Sequence, residues 1–306
     1  MMAPVSQRVR FGDRELTVSH LDKLMYPETG TTKADVIDYY ARAAAVLLPH
    51  ITGRILTRVR YPHGTGDVRF FEKHAPPAVP PWLRTATVPS KTHADGVTYV
   101  VADEPAALVW LANLYTIELH TPQWQLDDTA PDSTRRPDRL VIDLDPGEGA
   151  GITECVHIAH LVRERLEADG LIAYPKTSGK NGVHLVVPIS GTQPAEQVID
   201  YAKALARSLA AAHPRLVTAT MGPRNRIGKV LIDWSQNNPA KTTVAAYSLR
   251  GQPRPVISTP ITWSELDAGN TGPFGPEAVL GRVATLGDLH ADVTTPGPPL
   301  PVAAGR

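Results

Sequence analysis

Apolar runs of strand length and amphipathic runs of helix length interleave along this chain without the regular βα alternation of a doubly wound sheet. That order predicts an α+β fold with mixed or antiparallel sheets. Two further observations support it. Residues 152–168 and 195–212 have the spacing of long amphipathic helices. Neither G-x-G-x-x-G nor G-x-x-x-x-G-K-[ST] occurs, so a Rossmann site and a P-loop have no support.

The elements follow in order. Residues 8–18 alternate about Gly12-Asp13, the pattern of an N-terminal hairpin. A short segment, 19–26, stops at Pro27. Thr32 stands where an N-cap belongs, with Asp35 three residues on and Val36, Ile37, Tyr40, Ala44, Leu47 and Leu48 at helical spacing, so a helix is predicted to end near Pro49. Residues 55–61 alternate as a strand with Arg58 and Arg60 on one face, and 70–73 form another. Strand 97–101, helix 104–115 and strand 117–120 come next, then a polar loop over 127–138. Beyond the strand that follows lie helix 152–168, closed by Gly170, and strands 172–176 and 183–188 about the loop 177–182. Helix 195–212, strands 229–234 and 242–246 and helix 277–286 complete a domain drawn at 1–290. Residues 291–306, proline-rich and polar, read as a disordered tail.

The chemistry concentrates in Arg139-Leu140-Val141-Ile142-Asp143-Leu144-Asp145-Pro146-Gly147. Leu140 to Leu144 is a buried-strand run stopped by Pro146-Gly147, and a side-chain period of two puts Asp143 and Asp145 on one face. Adjacent buried carboxylates repel, and oxygen ligands favour Mg²⁺ or Mn²⁺ as the neutraliser. Asp233 ends another apolar run, and three acids at neighbouring strand ends suit a two-metal phosphoryl-transfer site. The plainer reading of each acid is a strand-end turn cap. In Ser178-Gly179-Lys180-Asn181-Gly182-Val183-His184, glycines admit a phosphate to the backbone while Ser178, Lys180 and His184 supply donors; a solvated hairpin tip is the alternative. Arg250 offers a guanidinium for a bidentate phosphate clamp.

Composition narrows the classes. Across 306 residues the formal net charge is zero, so any basic surface is local. Segment 216–256 supplies one, with Arg224, Arg226, Lys229, Lys241, Arg250 and Arg254 against Asp233 alone. One cysteine, Cys155, rules out an internal disulfide and a cysteine-rich zinc site, and its apolar helical setting reads as a buried inert thiol. No apolar run reaches the ~18 residues of a membrane span, and Met1 to Gln7 has no signal-like core, so a cytoplasmic (nucleoid-associated) protein with no membrane partner is expected.

Taken together, D-L-D-P-G, T-S-G-x-x-G-x-H, K-V-x-I-D-W-S-Q-N and K-T-T-x-A-x-Y-S-L-R-G resemble the polymerase domain of bacterial DNA ligase D. That is the non-homologous end-joining polymerase of the archaeo-eukaryotic primase superfamily. D-K-x-x-Y-P-x-T-G-T-T-K, T-R-x-R-x-P, F-F-E-K and L-H-T-P-Q-W extend the likeness from about residue 7 to about 290. The resemblance implies a primase-polymerase core of mixed and antiparallel sheets flanked by helices. It assigns Asp143, Asp145 and Asp233 to two catalytic Mn²⁺ or Mg²⁺ ions, and Ser178, His184, His120, Arg250, Gln236, Arg60 and Lys180 to the incoming nucleotide. Lys23 and Lys33 would hold a DNA 5′-phosphate, Phe70 and Phe71 would stack on template bases, and Arg226 and Lys229 would lie near the primer or the metals. The phosphate loop departs from the usual S-G-x-K-G-x-H: the lysine stands one place earlier, at Lys180, with Asn181 after it. His20 and Val59 also replace the usual Asn and Lys of their motifs, departures that imply a weaker grip on triphosphate and DNA end.

The expected activity is nucleotide transfer from NTPs or dNTPs, ribonucleotides favoured, to the 3′-OH of DNA carrying gaps or recessed ends and a 5′-phosphate. Ku and a DNA ligase are the expected partners. A primer-synthesising primase and a non-catalytic DNA-end-bridging module are the alternatives. No K-x-D-G ligase motif is present, which fits a stand-alone polymerase or a piece of a larger protein.

Overall fold

The computed structural model describes residues 6–90, 92–129 and 134–301. Two sheets organise them. The six-stranded sheet runs in the order Thr243–Val244, Thr116–Thr121, Ile55–Arg60, Val97–Val101, Thr85–Val88, with Phe70–Glu72 also paired to Ile55–Arg60. Helices Lys33–Ile51 and Pro105–Asn113 pack on it, burying Val36, Tyr40, Leu47, Leu108 and Leu111 with Leu56, Ile117 and Leu119. The five-stranded sheet runs Tyr174–Thr177, Val183–Pro188, Arg139–Pro146, Val230–Asp233, Val217–Thr218, and only the last pair is parallel. Helices Ile152–Ala168 and Ala195–Ala212 cover one of its faces, where Leu140, Ile142, Leu144, Leu185 and Ile232 meet Ile158, Val162, Ala202 and Leu205. Each such fully buried aliphatic contributes about 1.5–3 kcal/mol. No helix among the described residues is long and apolar enough to cross a membrane.

Local chemistry fixed most boundaries. The hairpin pairs Ser6–Phe11 with Arg14–Ser19 about Gly12-Asp13. Thr32 caps its helix in a reciprocal box: its hydroxyl accepts from Asp35 N at 3.3 Å and Asp35 accepts from Thr32 N at 2.7 Å. Cys155 is fully buried, and burial together with Asp145 and Asp143 pushes its thiol up to about 12, an inert thiol as expected.

Some expectations fail. The first helix continues through Pro49 to Ile51. The strand expected at 242–246 is only Thr243–Val244, and Leu249–Gly251 and Pro255–Ile257 form a hairpin that periodicity missed because its strands are too short to show one. The segment 291–306, expected to be disordered, is ordered as far as Pro301; residues 302–306 lie outside the described residues. Two apolar anchors explain the order: Val293 packs with Val141 and Val186, and Leu300 joins the helix-covered core. The backbone of Leu300 is satisfied by the Gln193 side chain, at 2.6 and 3.0 Å.

Candidate active site

The face of the five-stranded sheet turned away from the two helices carries the charged residues. In the ladder Asp143 lies opposite Asp233 on one side and His184 on the other, and His184 lies opposite Lys176. Lys176, His184, Asp143 and Asp233 therefore stand in one row across four adjacent strands, with Asp145 on the same face as Asp143. The central strand stays in register because its alternate residues Leu140, Ile142 and Leu144 are locked in the core beneath.

Side-chain partners give this row its electrostatics. Asp143 lies 3.3 Å from His184 Nε2, and Gln236 Nε2 donates to both Asp143 Oδ2 (3.3 Å) and Asp233 Oδ2 (3.0 Å). Asp233 Oδ1 accepts from the amide and hydroxyl of Ser235, at 3.0 and 2.5 Å. Burial, then the neighbouring charges of Asp233 and Asp145, pushes Asp143 up to about 7. Asp145 is paired with Arg226 Nη2 at 2.5 Å. Among the described residues no three carboxylate, histidine or cysteine side chains converge on one point in ligating geometry. The acids share a face and a register, with Gln236 bridging two of them and Arg226 on the third.

A buried cationic set surrounds the acids. Lys176, which the sequence reading did not select, is 3% exposed, and its Nζ donates to Ser258 Oγ at 2.6 Å. Burial, then Arg250, pulls it down to about 7, against the pull of Asp143. Burial, then Lys176 and Arg250, holds His184 well below the ordinary histidine range. Among the described residues, His184 Nδ1 and Arg250 Nε are buried without a hydrogen-bond partner. In the neighbouring loop, Ser178 Oγ accepts from Lys180 N (3.2 Å) and Gly182 N (3.1 Å), so its hydroxyl first shapes the turn. Gly179 has φ +71° and would place a Cβ 2.4 Å from Arg250 Cγ, so only glycine lets the loop lie against that arginine. Lys180 and Asn181 are exposed at the tip; they face a cavity of about 600 Å³ on the loop's outer side, bounded also by Ile152, Gln252 and Arg254.

The remaining candidates fall into three places. His120 Nε2 and Arg250 Nη1 both reach Glu118 Oε2, at 2.8 and 3.4 Å, and Glu118 is a second site residue that sequence reading missed. Burial pushes Glu118 up, but the His120 hydrogen bond and Arg250 outweigh it and bring the carboxyl down to about 2. The signal for Glu118 was its place two residues before His120 on strand Thr116–Thr121, hence on the same face. Phe70 and Phe71 are 44% and 57% exposed and so are not core residues, and the Phe71 ring meets His120 edge-on at 6.0 Å. Arg60 lies opposite Phe70, its Nη1 on Glu72 (2.7 Å) and its Nε on Leu114 O (2.5 Å). Lys23 and Lys33 form a separate pair, their Nζ atoms 5.1 and 4.5 Å from the centre of the Tyr115 ring. Lys33 donates to Ser19 O at 2.6 Å, and burial, then Lys23, lowers it to about 8. Lys229 leads into its strand beside Arg226.

Such a sheet, with acids on one face and buried cations around them, suits nucleotidyl transfer. Comparison with known proteins is specific. A sequence model of the LigD primase-polymerase domain matches residues 32–290. The multifunctional non-homologous end joining DNA repair protein LigD of Mycobacterium tuberculosis is 42% identical over 281 residues, which cover 90% of this chain and 37% of that protein. The bifunctional non-homologous end joining protein LigD of Bacillus subtilis is 30% identical over 275 residues, 89% of this chain and 43% of that one. The solved polymerase domain of Mycobacterium tuberculosis ligase D, in complex with DNA, superposes with a TM-score of 0.87 at 41% identity, covering 91% of this chain and 98% of that one. The chain belongs to the LigD primase-polymerase family and is a nucleotidyltransferase of that type. It spans well under half the length of these curated relatives.

Proposed function

We propose that this chain fills short gaps and extends annealed ends during non-homologous end joining, adding nucleotides, ribonucleotides by preference, to a DNA 3′-OH. The observation that carries the reading is the row in which Asp143 meets Asp233 in register, beside Asp145 and a buried polar set with unpartnered hydrogen-bonding atoms. The donor set fits two divalent cations in kind: three carboxylates, all oxygen, one of them pushed up by burial and by its neighbours. Asp143, Asp145 and Asp233 would hold Mn²⁺ or Mg²⁺, which when bound activates the attacking hydroxyl and neutralises phosphate charge.

The protein's own groups do the rest. Lys176 and Arg250 present positive charge, and Arg250 Nε and His184 Nδ1 unmet hydrogen-bonding atoms, to the triphosphate in a water-poor site, where each counts for more than at a surface. Phe70 and Phe71 offer the template a sequence-neutral stacking platform. Lys23 and Lys33 select a 5′-phosphate, whose charge exceeds that of an internal diester. DNA in the solved Mycobacterium tuberculosis relative supports such a substrate, and the relatives' names support a role in non-homologous end joining, for which Ku and a ligase are the proposed partners.

The test is extension of a gapped, 5′-phosphorylated duplex with Mn²⁺, comparing the unaltered protein with Asp145→Ala, and NTPs with dNTPs. Extension by the unaltered protein alone, with higher kcat/KM for NTPs, is expected. Equal extension by both proteins would remove the polymerase reading, and products on a template without primer would favour a primase.

A further inference from the structure

We propose that Glu118 is a positioning residue for nucleotide binding: it holds Arg250 and His120 in place from beneath and, through His120, ties the nucleotide pocket to the template platform. The inference rests on the nucleotidyltransferase reading above and deepens it. Glu118 is 3% exposed, yet its carboxylate is fully used. Oε1 accepts from Tyr61 OH at 3.1 Å and Gly251 N at 2.9 Å; Oε2 faces His120 Nε2 at 2.8 Å and Arg250 Nη1 at 3.4 Å.

These donors come from separate parts of the chain: the end of strand Ile55–Arg60, strand Thr116–Thr121 and the hairpin strand Leu249–Gly251. One carboxylate therefore joins the six-stranded sheet to the hairpin that presents Arg250. The junction is close-fitting, because a Cβ on Gly251 would lie 1.9 Å from Tyr61 Oη. A side chain there would expel the tyrosine from its bond to Glu118. His120, fixed at Nε2 by Glu118, meets the exposed Phe71 ring edge-on. Loss of Glu118 should thus loosen the arginine, the histidine and the aromatic platform together.

A glutamine at 118 has the same shape but one acceptor oxygen for four donors, and its amide N–H groups would confront those of Arg250. Leaving a buried donor unpartnered weakens an equilibrium by roughly five- to 150-fold. Glu118→Gln is therefore expected to weaken binding of a non-hydrolysable NTP, measured by calorimetry with Mn²⁺, about tenfold, the low end of that range. The unfolding temperature should stay within a few degrees of the unaltered protein. Glu118→Asp keeps the charge but retreats by one methylene, and about a threefold loss is expected. In an Arg250→Ala, His120→Ala background, Glu118→Gln should cost less than twofold more, because the groups it positions are gone.

Unaltered affinity in Glu118→Gln overturns the proposal. So does an equal tenfold loss in both backgrounds, which would make Glu118 independent of its partners. Should the Gln variant not fold, full affinity in Glu118→Asp overturns it alone. If the unaltered protein bound no NTP, the failure would lie in the functional reading itself, and this proposal would fall with it.

Discussion

On the helix-covered face of the five-stranded sheet, Leu140, Ile142, Leu144, Leu185 and Ile232 are fully buried among apolar partners. One residue along, the same strands carry Asp143, Asp145, His184 and Asp233 on the other face, with Lys176 on the adjoining strand. The two faces thus divide the labour. Apolar residues hold the register, and the register aligns acids distant in sequence. A slip of the central strand by one residue would bury two carboxylates against helices and expose the core, so the ladder has one workable pairing. The difference also predicts opposite responses to mutation on the two sides of one strand.

The largest effect should come from the charged face. Asp143→Asn removes a proposed cation ligand worth several kcal/mol in the transition state, so extension should fall about a thousandfold or more. The same change should stabilise the fold by about 1 kcal/mol, because it deletes a buried carboxyl crowded by two others. The pH dependence checks the cause. The folded carboxyl keeps its proton to about pH 7, whereas an unfolded aspartate releases it near pH 4. Between those values the folded state binds more protons, so stability declines as pH rises through the interval. Thermal melts at pH 5 and pH 8 should show that decline in the unaltered protein and a smaller one in Asp143→Asn. The neighbour reverses the pattern: Ile142→Ala should cost about 2–5 kcal/mol of stability while kcat per folded molecule stays near normal.

How far these faces were legible in the sequence follows from the same periodicity. Asp143 and Asp145 could be placed on one face because strand alternation is a local rule, and the helices at 152–168 and 195–212 announced their boundaries through their own spacing. That Asp233 belongs opposite Asp143 is a long-range pairing; the sequence offered only a similar apolar run ending in an acid, and the ladder supplied the register. Lys176 and Glu118 were missed for a related reason. A lysine before a serine-glycine loop and a glutamate before a histidine look like surface residues, until the second sheet and the hairpin close over them. The ordered tail was misread because composition counts prolines and polar residues, while order there depends on two side chains, Val293 and Leu300, finding cavities far away in sequence.

Lys176 sharpens the comparison within the charged face. It carries no carboxylate contact of its own among the described residues, and its one hydrogen bond goes to Ser258. A positive charge there that serves the triphosphate acts at a distance. At an effective dielectric near 20 and a separation of several ångströms, such a charge is worth about 1.5–3 kcal/mol. Lys176→Met should therefore raise KM for NTP about tenfold or somewhat more while kcat changes less than threefold. Removal of a buried amine should leave the melting temperature unchanged or higher.

The smallest expected effect lies outside both faces, at the Lys23–Lys33 pair, and depends on pH. Burial and the nearby Lys23 lower Lys33 to about 8, well under an ordinary lysine, so its charge is lost as pH rises through that value. A bound phosphate dianion favours the charged form and moves the midpoint upward, so loss of recognition should be centred at or above pH 8. The ratio of affinities for 5′-phosphorylated and 5′-hydroxyl DNA, measured by anisotropy at constant ionic strength, should therefore fall a few-fold between pH 7 and pH 9. In Lys33→Gln that ratio should be low and flat over the same range. A ratio that stayed constant in the unaltered protein would mean that Lys33, tied to Ser19 O and folded over Tyr115, serves the packing of its helix and not the DNA end.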